Sequence, residues 1–252
     1  MDKTLLIRAT SHGSDALLCI NGMVLCKLSA GQESRLPIHE FIKSGENRIQ
    51  LILLSGVSIN IHGRLCVELQ KDRGADVLVQ PQTLYEFEHC ISRGERLTNN
   101  RLIDVRVDLP VSFPKWRYLD VIQARGDEQD LQKIQDFIVH LLRLFQEKKI
   151  SLLLPYFSVR NKEIAIAYGL DIQQVHRDFQ IHLQQVTEQC VLPDEVWDPQ
   201  SWCLPPVGGA AVYALLNNQY QSLLQFHMNN DSTVFQLPLH VGVLGGEVFV
   251  LR

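Results

Sequence analysis

The 252-residue chain lacks any apolar run long enough to cross a bilayer. A spanning helix needs about 20 apolar residues, and runs such as Leu51–Leu54 are far shorter. The first apolar stretch, Leu5–Ile7, ends at Arg8, whereas a secretory leader carries an apolar core of about 7–15 residues. The expectation is a cytoplasmic protein with no membrane partner. Positive charge is not in excess either. There are 24 Lys+Arg against 28 Asp+Glu, a formal net charge of -4. A basic footprint for nucleic acid is therefore not expected. Only 10 Pro and 15 Gly are present, which excludes a collagenous or low-complexity chain.

The six cysteines form no Cys-x-x-Cys pair, so a zinc knuckle or thioredoxin-type site has no support. Cys19, Cys26 and Cys66 fall in apolar strand patterns and read as buried thiols of a reducing compartment. Cys19 and Cys26 are expected as diagonal neighbours on one hairpin, a poor geometry for a disulfide. Catalytic motifs are missing too: no Gly-x-Ser-x-Gly elbow, no phosphate-binding loop, no dinucleotide fingerprint and no His-Glu-x-x-His. His176 and His182 stand six residues apart, about 600° around a helix, and so point to different faces. Asp178 and His182 share a face and read as a surface pair. No catalytic residue, metal site or cofactor is assigned, and an enzyme is the less favoured reading.

What the sequence does contain is a change of hydrophobic period. Before residue 110 it is strand-like. Thr4–Arg8, Ala16–Ile20, Met23–Leu28, Arg48–Leu53, Ser58–His62, Leu65–Gln70, Thr83–Phe87 and Leu102–Leu109 are expected as short strands. Asn21-Gly22 sits between two apolar runs, and both residues tolerate the positive φ of a type I′ hairpin turn. Ile49, Leu51 and Leu53 alternate with Arg48, Gln50 and Ile52, which gives that strand a buried face. Eight short strands make a β-sandwich.

From residue 128 the period becomes helical. Leu131, Ile134, Ile138, Leu141, Leu142 and Phe145 recur at three- and four-residue steps. Asn161 is expected to cap a short helix that Gly169 stops, and Asp171 with Gln174 is a capping-box arrangement for the next. That helix carries Ile172, Val175, Phe179, Leu183 and Val186 on one stripe. The chain then returns to strands: Ala211–Leu216, Ser222–Met228, Thr233–Val243 and Glu247–Leu251. Gly245-Gly246 suits a two-residue hairpin that pairs Val243 with Val248 and Val241 with Val250. Phe226 faces Phe235, and Leu224 faces Leu237, so one sheet face is apolar and should lie on the helices.

Two resemblances follow. Ile20-Asn21-Gly22-Met23-Val24-Leu25, Leu36-Pro37-Ile38-His39-Glu40-Phe41-Ile42 and Gly45-Glu46-Asn47-Arg48-Ile49 resemble the galactose-binding-like jelly roll. There an Asn-Gly hairpin precedes a short helical turn, and a Gly-Glu-Asn turn starts the next strand. The match implies a sandwich fold and transfers no sugar-contacting residue. Residues 128–252 resemble, in element order and hairpin spacing, the NTF2-like (cystatin-like) α+β cone. The expected organisation is thus two domains. An all-β sandwich at 1–110 and a connector at 111–127 precede an α+β cone at 128–252, its helices packed on a curved antiparallel sheet.

Two places offer a contact surface. Trp116, Arg117 and Tyr118 lie in the Pro-punctuated connector, either as an exposed anchor or as an aromatic plug between the domains. Gln225, His227, Gln236 and His240 are expected on the polar sheet face, with Gln225 paired to Gln236. The leading functional expectation is a non-catalytic, bacterial-type protein-interaction module, an immunity or adaptor protein that binds a toxin or enzyme partner. A carbohydrate or small-ligand binder is the alternative, and an NTF2-like enzyme the third reading. Residues 1–110 hold 13 Lys+Arg and 13 Asp+Glu, and residues 111–252 hold 11 and 15. If a basic partner exists, the C-terminal domain is the place to look for it first.

Overall fold

The computed structural model describes residues 5–12, 14–54, 63–71, 82–91, 100–121, 127–205, 212–228 and 234–252. The chain divides into two compact units, Met1–Lys115 and Trp116–Arg252. Among the described residues the first unit is antiparallel strand with one 3₁₀ turn at His39–Phe41, and the second is helix plus antiparallel strand.

Among the described residues of the first unit the period-two pattern yields eight strands. They are β1 (Leu5–Ser11), β2 (Ala16–Ile20), β3 (Met23–Leu28), β4 (Glu33–Pro37), β5 (Gly45–Leu53), β6 (Gly63–Lys71), β7 (Gln82–Ile91) and β8 (Arg101–Leu109). They form two antiparallel sheets of order β4-β1-β6-β7 and β3-β2-β5-β8. One core serves both sheets. Leu5, Ile7 and Ala9 come from the first, and Leu18, Ile20, Ile49, Leu51, Leu53, Val107 and Leu109 from the second. Ile49, Leu51 and Leu53 are buried as their alternation requires. Asn21 and Gly22 have φ of 50° and 85°, the positive values of a type I′ turn. Strand β4 was not among the expected strands, because Glu33-Ser34-Arg35-Leu36-Pro37 is a polar edge with little apolar alternation. The expected strand at Ser58–His62 lies outside the described residues.

Cys19 and Cys26 are both free thiols. Burial, with Cys26 nearby as a second cause, pushes the Cys19 thiol up to about 12 from its ordinary 9.0. Below pH 9 both folded and unfolded chains keep that proton. Between pH 9 and about 12 only the unfolded thiol ionises, so this group makes the fold less stable as pH rises through that window. In alkylation followed by peptide mass spectrometry at pH 8, exposed Cys90 reacts first and Cys19 only on unfolding. Labelling of Cys19 at the Cys90 rate would contradict its placement.

The second unit opens with α1 (Arg117–Val121) and α2 (Glu128–Gln146). Asp127 caps α2 by accepting the Asp130 N–H at 2.8 Å. Next come α3 (Ile150–Leu153), a 3₁₀ turn at Leu154–Phe157, α4 (Ser158–Tyr168) and α5 (Ile172–Gln189). Gly169, at φ 64°, ends α4 in the left-handed region, and the Asp171 side chain caps α5 through the Gln174 N–H. The start of α4 differs from expectation. The 3₁₀ turn runs directly into the helix, so Asn161 is fully buried inside it rather than capping it.

The strands are β9 (Cys190–Val191), β10 (Trp202–Cys203), β11 (Val212–Ala214), β12 (Leu216–Asn217), β13 (Leu224–Met228), β14 (Val234–Leu237), β15 (His240–Leu244) and β16 (Glu247–Val250). They pair as β14-β13-β9, β11-β15-β16 and β10-β12. Val243 opposes Val248, Val241 opposes Val250, Phe226 opposes Phe235 and Leu224 opposes Leu237, all as the turn spacing requires. Phe137, Leu141 and Phe145 of α2 and Leu183 and Val186 of α5 share a core with Leu224, Phe226, Leu237, Val241 and Val250. One expected strand, Thr233–Val243, is in fact two. Pro238 has no N–H for a ladder, and the chain leaves one sheet at Leu237 and joins another at His240. Among the described residues no helix is long and apolar enough to cross a membrane.

Candidate functional site

Of the two readings offered for the aromatic pair, the exposed anchor is excluded. Trp116 and Tyr118 are buried, and the Arg252 guanidinium lies over both rings, 5.7 Å and 4.7 Å from their centroids. The helical turn of α1 sends Arg117 the other way, into solvent. Its backbone N–H donates to Glu163 Oε1 at 2.6 Å, and the other Glu163 oxygen accepts from Arg252. This is a structural node in which each Glu163 oxygen accepts one hydrogen bond. Of the segment 111–127, residues 122–126 lie outside the described residues. Val111 and Phe113 pack on the sandwich core, and Trp116–Val121 belongs to the second unit.

Three of the four sheet residues do come together. Gln225 pairs with Gln236 across β13 and β14, and His227 occupies the same face. Gln225 donates to Gln221 Oε1 at 3.2 Å. His240 is corrected: it is buried at 3% exposure, in the other sheet, opposite Ala214. The alternation itself persists, with Leu237, Val241 and Val243 all in the core, but the opposite face of β15 is buried too at His240 and Gly242. Two apolar residues complete the outer face. Val191 of β9 and Val234 of β14 flank His227 in one cross-strand row, at 53% and 36% exposure.

Val191 also borders a cavity of about 290 Å³. Its making begins at the end of α2. The Lys149 N–H donates to Leu144 and the Lys148 N–H to Phe145, the Schellman pattern that satisfies last-turn carbonyls. Lys148 takes the left-handed position at φ 56°, where glycine is usual. Replacing Lys148→Gly therefore raises stability by about 1 kcal/mol, read as an increased urea midpoint. An unchanged or lower midpoint would show that the Lys148 side chain compensates for the strain.

The opposite wall is the last turn of α5, with Thr187 Oγ1 bonded back to Leu183 O at 2.9 Å and Glu188 facing solvent. After β9 a 3₁₀ turn at Asp194–Trp197 closes the side. Buried Val196 and the Trp202 Nε1 bond to Val196 O at 2.8 Å anchor that turn. The result has an apolar base and a charged mouth. Phe145 and Phe226, packed edge to face at 5.2 Å, are buried, and Trp197 and Leu192 are half-buried beside them. Lys148, Glu188 and Asp194 are exposed around it.

None of these residues was read from the sequence as part of a site, and Phe145 and Phe226 were read only as core positions. One signal was there to be read. Between Arg177 and Arg252 there is no Lys or Arg, while Asp178, Glu188, Asp194, Glu195, Asp198, Asp231 and Glu247 are all acidic. Among the described residues no group of three or more His, Cys, Asp or Glu is placed to hold a metal ion. Compared with family models, curated proteins and solved structures, the chain matches none.

Proposed function

We propose that this chain is a non-catalytic protein-interaction module, of the immunity or adaptor kind, that engages a protein partner through its C-terminal unit. One observation carries the reading: the exposed row Val191, His227 and Val234 runs, through Val191, into an open cavity with an aromatic base. Small-molecule pockets range from roughly 300 to 1,000 Å³ and enclose most of their ligand. A cavity of about 290 Å³ lies at the bottom of that range and suits one anchor side chain. The adjoining sheet face supplies the flatter surround that such anchors use to exclude water.

The finer fold readings belong to this proposal. The sandwich is read as a galactose-binding-like jelly roll, supported by the hydrogen bond that joins the Asn21-Gly22 hairpin to Asn47. The second unit is read as an NTF2-like cone, supported by helices that precede an antiparallel sheet and pack on its apolar face.

The test uses the full chain to capture partners from a lysate of its native source, followed by rebinding of each purified partner in calorimetry. Val191→Glu with Val234→Glu should weaken that binding at least tenfold. Leu102→Glu, at an equally exposed leucine of the sandwich, should leave it unchanged. The reverse pattern would sink the proposal. A second reading, a carbohydrate or small-ligand binder, is favoured by half-buried Trp197 beside two carboxylates. A saturable thermal shift with a glycan, absent in Trp197→Ala, would select it.

A further inference from the structure

We infer that the partner segment taken by this cavity is basic, and that a lysine or arginine side chain enters it. The inference rests on the reading of this surface as a protein-binding site. Its first support is charge. Residues 116–252 hold 10 Lys+Arg against 15 Asp+Glu, and the stretch from Asp178 to Leu251 has no cationic residue but histidine. At the cavity mouth two carboxylates, Glu188 and Asp194, face one ammonium, Lys148. Among the described residues neither carboxylate has an ion-pair partner. The neighbouring Glu147 does, with Lys149 at 2.6 Å. The mouth therefore keeps unneutralised negative charge.

The second support is the base of the cavity. Half-buried Trp197 presents aromatic surface, and the edges of buried Phe145 and Phe226 floor the cavity beneath it. The methylene stem of Lys or Arg packs on such surface while its charged head stays at the rim, and aromatic faces attract cations. An aliphatic anchor would fill the same base but would desolvate Glu188 and Asp194 without compensation. An acidic anchor would meet like charge. Lys148 works against a basic guest, so its removal has a distinctive sign: it should tighten binding.

The experiment titrates the full-length chain with Ac-Ala-Arg-Ala-NH₂, Ac-Ala-Lys-Ala-NH₂, Ac-Ala-Leu-Ala-NH₂ and Ac-Ala-Glu-Ala-NH₂. The readout is the indole N–H resonance of Trp197, assigned by its loss in Trp197→Phe. The basic peptides should give saturable shifts and bind at least tenfold more tightly than the leucine and glutamate peptides. Glu188→Gln with Asp194→Asn should weaken the arginine peptide about tenfold, and Lys148→Ala should strengthen it several-fold. Raising salt from about 50 to 300 mM should weaken it. Circular dichroism checks that each surface variant is folded.

Equal or tighter binding of the leucine peptide overturns the inference. So does indifference to Glu188→Gln with Asp194→Asn. If no peptide shifts Trp197 while a purified partner still binds and is lost in Val191→Glu with Val234→Glu, the basic guest is refuted and the interaction surface stands. If the basic peptides bind as described but the partner ignores the Val191 and Val234 changes, the cavity preference stands and the interface proposal fails.

Discussion

Asn47→Ala destabilises the sandwich unit by about 4 kcal/mol, at about 1 kcal/mol for each of four hydrogen bonds. The Asn47 amide is fully buried and uses its whole capacity. Its Oδ1 accepts from Asn21 Nδ2 at 2.8 Å and from the Lys43 N–H at 2.9 Å. Its Nδ2 donates to Lys43 O at 2.9 Å and Gly45 O at 2.8 Å. The same network holds the hairpin, because Asn21 Nδ2 also donates to Phe41 O and Asn21 Oδ1 accepts the Arg48 N–H. Truncation thus orphans donors and acceptors on both the β2–β3 turn and the start of β5. Asn47→Asp keeps the shape and the acceptors but loses both donors, so it too is strongly destabilising. Hydrogen exchange of residues 16–20 and 45–53 measures the effect. Wild-type protection in both variants would show that this network contributes nothing.

Arg252→Ala lowers the stability of the C-terminal unit by about 3–5 kcal/mol, the cost of leaving a buried charge without its partner. The Arg252 and Glu163 side chains are 3% and 8% exposed. Without the guanidinium, Glu163 keeps only the Arg117 N–H as a donor in the structure described. Trp116 and Tyr118 also lose the cation they flank. Removing both charges is milder. In Glu163→Gln with Arg252→Met the Gln oxygen still accepts the Arg117 N–H, and no unpaired charge is buried, so more than half of the loss returns. All three tryptophans, Trp116, Trp197 and Trp202, lie in 116–252, so urea unfolding followed by tryptophan fluorescence reports this unit. If the double variant were as unstable as Arg252→Ala, lost packing rather than the ion pair would be the cause.

Local chemistry was legible in the sequence wherever the interaction spans a few residues. Asn21-Gly22 and Gly245-Gly246 set their hairpins, because few residues accept two successive positive φ values. Asp171 set the start of α5, because a carboxylate three residues before a free N–H caps it. Ile49, Leu51 and Leu53 showed which face of β5 is buried. Where neighbours in space decided, the reading failed. Asn161 looked like a cap but sits within a helix whose start depends on the turn before it. His240 keeps the outward parity, but beyond Pro238 the chain enters another sheet, whose second face is buried at that position. Trp116 and Tyr118 read either as an exposed anchor or as a packed plug, and Arg252, distant in sequence, lies over both buried rings.

The candidate site divides in the same way. Gln225, His227 and Gln236 were found because one hairpin register determines their common face. The cavity was not, because it joins the ends of α2 and α5, the turn at Asp194–Trp197 and Phe226 of β13. By itself the sequence determined the two-part architecture, the turns, the helix stripes and the acidic balance of residues 111–252. These depend on period, backbone freedom and charge count, all properties of neighbouring residues or of sums. Only the tertiary structure decided which carboxylates are neutralised, as Glu163 is by Arg252, and which remain open at a cavity mouth, as Glu188 and Asp194 do. Charge pairing and cavity shape depend on distances through space between segments far apart in the chain.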